Sequence, residues 1–246
     1  MPSTDSGERI YAIGDVHGRY DLLQLLIERI GEHSRGLPPV RSLYIVLIGD
    51  LVDRGPQSAE VLAMLYDLQR RNSDVIVLLG NHEEAMIQAL DGDIDVLRRW
   101  LKVGGDATLA SFGIGPIQRD QDAHDYLGIV RRAVPKAWMT WLRHLPLSVR
   151  SGDYYFVHAG VRPGIALDRQ VRDDLLWIRN DFLQDERDFG AIVVHGHSIT
   201  ADVDIRSNRI CIDTGAYRTG VLSAIYLEEG RQDILTASLP PARTKT

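Results

Sequence analysis

The chain has little that would tie it to an oxidising compartment, a membrane or a nucleic acid. It holds a single cysteine, Cys211, so no internal disulfide can form, which fits a reducing cytoplasm. Cys211 follows Arg209-Ile210 in an apolar run and is expected to be a buried small residue, not a nucleophile. No apolar run reaches membrane-spanning length, and Met1 to Arg9 carries no leader-like apolar stretch. A formal charge of −6 over 246 residues leaves no basic excess with which to neutralise a nucleic-acid backbone. The pattern G-x-x-x-x-G-K-[ST] is absent, which excludes a P-loop. A cytoplasmic monomer with neither a membrane nor a nucleic-acid partner is expected.

What is present is a set of five apolar runs, each ending on side chains that bind metals. Ile10–Ile13 runs into Gly14-Asp15-Val16-His17-Gly18, and Leu43–Ile48 into Gly49-Asp50-Leu51-Val52-Asp53-Arg54-Gly55. Val75–Leu79 runs into Gly80-Asn81-His82-Glu83, Tyr154–Val157 into His158-Ala159-Gly160, and Ala191–Val194 into His195-Gly196-His197. Short apolar runs punctuated by glycine read as strands buried on both faces. Laid side by side, such strands bring their Asp, His and Asn residues to one sheet edge, where ligands of α/β sheets bind.

The intervening segments follow the same logic. Leu22, Leu23, Leu26, Ile27 and Ile30 form a helical stripe in Tyr20–Ile30, and a second helix is expected from a Ser58 cap to Arg71. These make two β-α-β units with parallel strands. From Glu84 to Pro146 the periodicity is helical, with stripes Ile94, Leu97, Trp100, Leu101 and Val134, Trp138, Trp141, Leu142. This segment is expected to be a helical cap insertion over the ligand-bearing edge, although helices completing a sheet face would show the same stripes. Asp202–Arg206, Arg209–Asp213 and Leu222–Glu228 are expected to form a second, mixed or antiparallel sheet, with a hairpin at Ser207-Asn208. The expected fold is α/β: two layered central sheets flanked by helices, in one domain over residues 9–237, followed by a flexible tail at 238–246.

Asp15 and His17 can face one cation, and Asp50 can bridge two through its two oxygens. Asn81, His158 and His197 supply ligands to the second. Oxygen and imidazole donors without thiolate suit two divalent ions, with manganese favoured and iron or zinc possible. Two such ions roughly 3.5–4 Å apart suit in-line displacement at a phosphoester.

Taken together, these five motifs resemble the signature of the PPP phosphoprotein phosphatases, most closely the small bacterial and phage, lambda phosphatase-like branch, over roughly residues 9 to 228. The resemblance implies a hydrolase of phosphoserine and phosphothreonine that works by direct attack of a metal-bridging hydroxide. It implies that Arg54 and Arg179 hold phosphoryl oxygens, and that His82 protonates the leaving oxygen with its tautomer fixed by Asp53. Asn81 and Tyr217 are further candidates for touching substrate, though packing explains Tyr217 equally well. His195 is read as a core or supporting histidine, because strand alternation turns it away from the approach of His197. The alternative is a nucleotide hydrolase like the symmetrical diadenosine tetraphosphatases, with a phosphorylated small molecule in place of a phosphoprotein. Those enzymes tend to carry Asp where Glu83 stands, which favours the protein phosphatase branch.

Overall fold

The computed structural model describes residues 1–239. Strand β1 (Glu8–Ile13), helix α1 (Tyr20–Arg35), β2 (Ser42–Leu47), α2 (Ser58–Arg71) and β3 (Val75–Val77) form the two expected parallel β-α-β units. Helices α3 (Asn81–Asp91) and α4 (Ile94–Trp100) follow, then a π-turn at Leu101–Gly105 and helices α5 (Asp106–Ser111), α6 (Ala123–Ala133) and α7 (Lys136–Arg143). After them come β4 (Ser148–Ser151), β5 (Tyr154–Val157), α8 (Arg172–Trp177), α9 (Asn180–Leu183) and β6 (Ile192–His195). The described chain closes with β7 (Asp204–Ile205), β8 (Arg209–Cys211), α10 (Ala216–Thr219), β9 (Val221–Glu228) and β10 (Arg231–Ser238).

Two five-stranded sheets result, in the orders β10-β9-β1-β2-β3 and β4-β5-β6-β8-β7. Side chains alternate across each strand, so β1 serves two cores. Ile10 and Ala12 face the second sheet, joining Val46, Ile48, Phe156, Val194 and Ile210. Tyr11 and Ile13 face outward onto Leu22, Leu26, Leu62 and Leu65 of α1 and α2. Helices α8 and α9 cover the other sheet through Leu175 and Phe182. The fold is the expected α/β arrangement of two mixed sheets between helices.

Three details differ from the sequence expectation. The five runs that end on candidate ligands do not share one sheet: three lie in the first and two in the second, so their ends converge across the sandwich. Leu222–Glu228 does not join the second sheet but pairs antiparallel with β1, and β10, partly assigned to the tail, pairs with it in turn. Local polarity cannot distinguish these pairings, because both sheets offer an apolar face. Ser58 is the first helical residue of α2 and not its cap, and its hydroxyl accepts the Asp53 N–H instead. Residues 240–246 of the expected tail lie outside the described residues.

The helices between β3 and β4 extend the outer core: Met86, Leu97, Trp100, Leu109, Leu127 and Leu142 belong to the same apolar cluster as α1 and α2. Among the described residues no helix is long and apolar enough to cross a membrane.

Candidate active site

The parallel strands set the site. Asp15 and His17 leave β1, Asp50 leaves β2, Asn81 and His82 open α3 after β3, His158 leaves β5 and His197 leaves β6. All six expected ligands are buried, from 0% exposed at His158 to 7% at His197. Turning so sharply at the strand ends strains the backbone. Of the six non-glycine residues with positive φ among the described residues, five are His17, Asp50, Asp53, Arg54 and His197. Such conformations persist where surrounding structure enforces them. Gly196 is needed for close approach, since a Cβ there would sit 2.0 Å from Asp15 Oδ1.

Asp50 is the centre. Its Oδ2 lies 3.4 Å from His17 Nε2 and 3.9 Å from His82 Nε2, and its Oδ1 lies 3.3 Å from His158 Nε2. Two groups close enough to hold a cation share it: His17, Asp50 and His82, and Asp50, His158 and His197. Asn81 Oδ1 lies 2.8 Å from both His158 Nε2 and His197 Nδ1. Asp15 is tied in by the His197 N–H at 3.0 Å.

The donors fit cations on several counts. His17 and His158 each turn Nδ1 to a carbonyl, Val52 at 2.8 Å and Ile48 at 2.9 Å, which leaves Nε2 as the atom that can ligate, although Arg54 reaches that of His17 in this structure. A neutral His158 with its proton on Nδ1 presents a bare Nε2 to Asn81 Oδ1, and burial lowers its basicity. Burial, with His158 beside it, pushes His197 down to about 2, so it stays in the neutral, ligating form. Asp15 Oδ1 and His197 Nε2 have no hydrogen-bond partner among the described residues. Burial and the nearby Asp213 and Asp50 charges raise the Asp15 carboxyl well above its usual range. Asp50 shows the reverse: burial opposes its charge, yet His158, His82 and His17 hold it well below. These uncompensated acceptors could hold two metal ions.

Beside the cluster stands a dyad. His82 Nδ1 is 2.5 Å from Asp53 Oδ2, and its Nε2 faces Arg54 at 2.9 Å. Burial lowers the His82 pKa, but Asp50 and Asp53 outweigh it and raise it overall. The Arg54 guanidinium also reaches His17 Nε2 at 2.9 Å and lies over the Tyr217 ring at 4.8 Å. Holding Arg54 and holding a cation on the same His17 nitrogen exclude each other. Arg54 and Arg179 line one cavity of about 470 Å³ with Asn81, His82, Trp100 and Trp177. Tyr217 is not in that lining; it packs against His17 and supports Arg54. His195 is buried as expected but only half satisfied, with Nδ1 on the Gly196 carbonyl and Nε2 without a partner among the described residues.

Sequence reading missed two things here. Glu83 does more than favour a helix start: its carboxylate accepts the N–H groups of Asp50, Leu51, Val52 and Gly80, clamping the Asp50 loop onto α3. Asp53 also takes bonds from Trp100 and Thr108, which no local signal ties to it.

A model of the calcineurin-like phosphoesterase family matches residues 8–222. A symmetrical bis(5'-nucleosyl)-tetraphosphatase of Chromobacterium violaceum is 31% identical over 163 residues, 66% of this chain and 47% of that protein. The chain spans about half the length of the curated relatives it matches. A crystal structure whose proposed activity is that of a diadenosine tetraphosphatase superposes with a TM-score of 0.65 at 20% identity, covering 96% of this chain and 99% of the other. The cold-active protein-tyrosine phosphatase of a psychrophilic Shewanella gives 0.56 at 21%, covering 96% and 82%. At such identities the likeness concerns the fold. The family match spans every strand end that carries a candidate ligand, and the chain belongs to the calcineurin-like phosphoesterases.

Proposed function

We propose that this metallophosphoesterase hydrolyses nucleoside polyphosphates, in the manner of a symmetrical bis(5'-nucleosyl)-tetraphosphatase. The observation that carries this reading is the lining of the cavity beside the cluster. Three arginines, Arg54, Arg99 and Arg179, share it with two indoles, Trp100 and Trp177, and with Val96 and Val103. Cationic forks suit phosphoryl oxygens, and flat apolar walls suit a base. The names of the curated relatives support the same substrate class.

Glu83 no longer argues for a protein phosphatase. Its carboxylate is spent on four backbone N–H groups and lies outside the cavity lining, so its identity bears on loop geometry.

In this reading Asp15, His17, Asp50, Asn81, His158 and His197 hold two divalent ions, manganese being the one proposed. When bound, they supply charge neutralisation and the Lewis acidity that makes water nucleophilic near neutral pH. Arg54 and Arg179 bind and orient the phosphoryl oxygens. His82 gives a proton from Nε2 to the leaving oxygen, while Asp53 keeps the other proton on Nδ1.

The test compares diadenosine tetraphosphate with a phosphoserine peptide in the presence of manganese. A kcat/KM at least tenfold higher for the dinucleotide, with only nucleoside diphosphate as product, is expected. Preference for the peptide would overturn the reading.

A further inference from the structure

The helices between β3 and β4 reach back into the catalytic loop at three points. Trp100 Nε1 of α4 donates to Asp53 Oδ2 at 2.8 Å, the same oxygen that receives His82 Nδ1. Thr108 Oγ1 of α5 donates to Asp53 Oδ1 at 2.7 Å and accepts the Asp53 N–H at 2.8 Å. In the π-turn between them, the Gly104 carbonyl accepts the Arg54 N–H at 3.1 Å.

We propose that Thr108 and Trp100 are positioning residues that set the orientation of His82 through Asp53, which makes the helical insertion part of the proton-transfer apparatus. The proposal rests on His82 acting as proton donor.

The physical case starts from the carboxylate. Asp53 is 0% exposed, so every bond that offsets its desolvation comes from protein. The β2 loop supplies neither of the two donors in question. Donors on both oxygens prevent the carboxylate from turning, so His82 Nδ1 meets it in one direction only. Nε2, which accepts an Arg54 N–H in this structure, is thereby held at the cavity that Trp100 also lines.

The backbone shows the same dependence. Asp53 and Arg54 are consecutive left-handed residues, with φ of 75° and 69°; the Asp53 N–H is shared between Thr108 and Ser58 of α2, and the Arg54 N–H goes to the insertion. Gly104 itself has φ of 122°, and a Cβ there would lie 2.7 Å from Arg54 N. Trp100 and Thr108 are buried to within 1% of fully, and no solvent stands in for them.

The decisive variants are Thr108→Val, which keeps the shape and removes the hydroxyl, and Thr108→Ser, which keeps the hydroxyl. Each is assayed on phenyl phosphate, whose leaving group needs a proton, and on dinitrophenyl phosphate, whose leaving group does not. Thr108→Val should lower kcat on phenyl phosphate about tenfold with KM little changed, the size expected for one hydrogen bond to a charged group. Its loss on dinitrophenyl phosphate should be smaller, and Thr108→Ser should recover most of the difference. In a His82→Asn background Thr108→Val should cost little more. Without added metal, the ¹⁵N spectrum should show the His82 Nδ1–H signal displaced in Thr108→Val and retained in Thr108→Ser. Equal losses on both substrates, or losses that simply add in the His82→Asn background, would mean a structural role and overturn the inference. Should Thr108→Val not fold, Trp100→Phe is read against the same two substrates. If His82→Asn itself shows no leaving-group dependence, the proton-donor role falls, and this inference with it.

Discussion

His158 Nε2 and Asn81 Oδ1 face each other at 2.8 Å while His158 Nδ1 lies against the Ile48 carbonyl, so a neutral His158 has no proton to share with the amide oxygen. Two acceptors held in contact are what a cation would relieve. Asn81→Ala should therefore weaken manganese binding by more than the roughly 10–100-fold that loss of an outer-shell partner costs. Its stability without metal should stay within about 1 kcal/mol of wild type, because a repulsive contact leaves along with a hydrogen bond to His197. Asp50→Asn should be worse, since Asp50 belongs to both clusters. Calorimetric titration with manganese checks both, and unchanged stoichiometry in Asp50→Asn would refute the ligand set.

His82→Asn should lower kcat by roughly 10²–10⁴-fold on substrates with poor leaving groups, as loss of a general acid does. The loss should shrink on an activated aryl phosphate, with bound manganese unchanged. Asp53→Asn should follow the same trend more mildly. Parallel losses on good and poor leaving groups would remove the assignment.

Trp177, two residues before Arg179, lines the cavity and is 48% exposed. Replacing it with Ala should raise KM for a dinucleoside polyphosphate by about tenfold, given the roughly 1–3 kcal/mol that stacking on a base is worth. Turnover of a small aryl phosphate should suffer much less. A KM that rises equally for both would mean that the indole does not recognise a base.

Far from the site, Arg9 Nε donates to Glu228 Oε2 at 2.5 Å, and the Tyr226 hydroxyl donates to the same oxygen. Burial alone would raise the Glu228 carboxyl, but these bonds outweigh it and hold it below its usual range. A depressed carboxyl stabilises the fold above the ordinary glutamate range, and that contribution is lost as pH falls through the lower folded value. Denaturant unfolding should therefore separate wild type from Glu228→Gln at pH 7 and bring them together in acid. A gap that is constant with pH would exclude the pair as a source of acid sensitivity.

Much of the site is legible in the sequence because its chemistry is local. A glycine that permits a sharp turn, followed by Asp, His or Asn, marks a strand end whichever sheet the strand joins. For that reason Asp15, Asp50, Asn81, His158 and His197 could be named without knowing that three runs lie in one sheet and two in the other. The Asp53–His82 pairing came only from family resemblance, since nothing in either segment fixes a contact between residues 29 positions apart.

What the sequence determined by itself was most of the strands, though not β10, the buried helical stripes and the candidate ligands. Periodicity and turn chemistry act over a few residues, and that range sufficed. Only the tertiary structure decided which sheet received β9, that Glu83 clamps the Asp50 loop, and that Trp100 and Thr108 meet Asp53 across the insertion. Those bonds depend on where packed elements bring distant donors, and a donor's partner is not written in its neighbours.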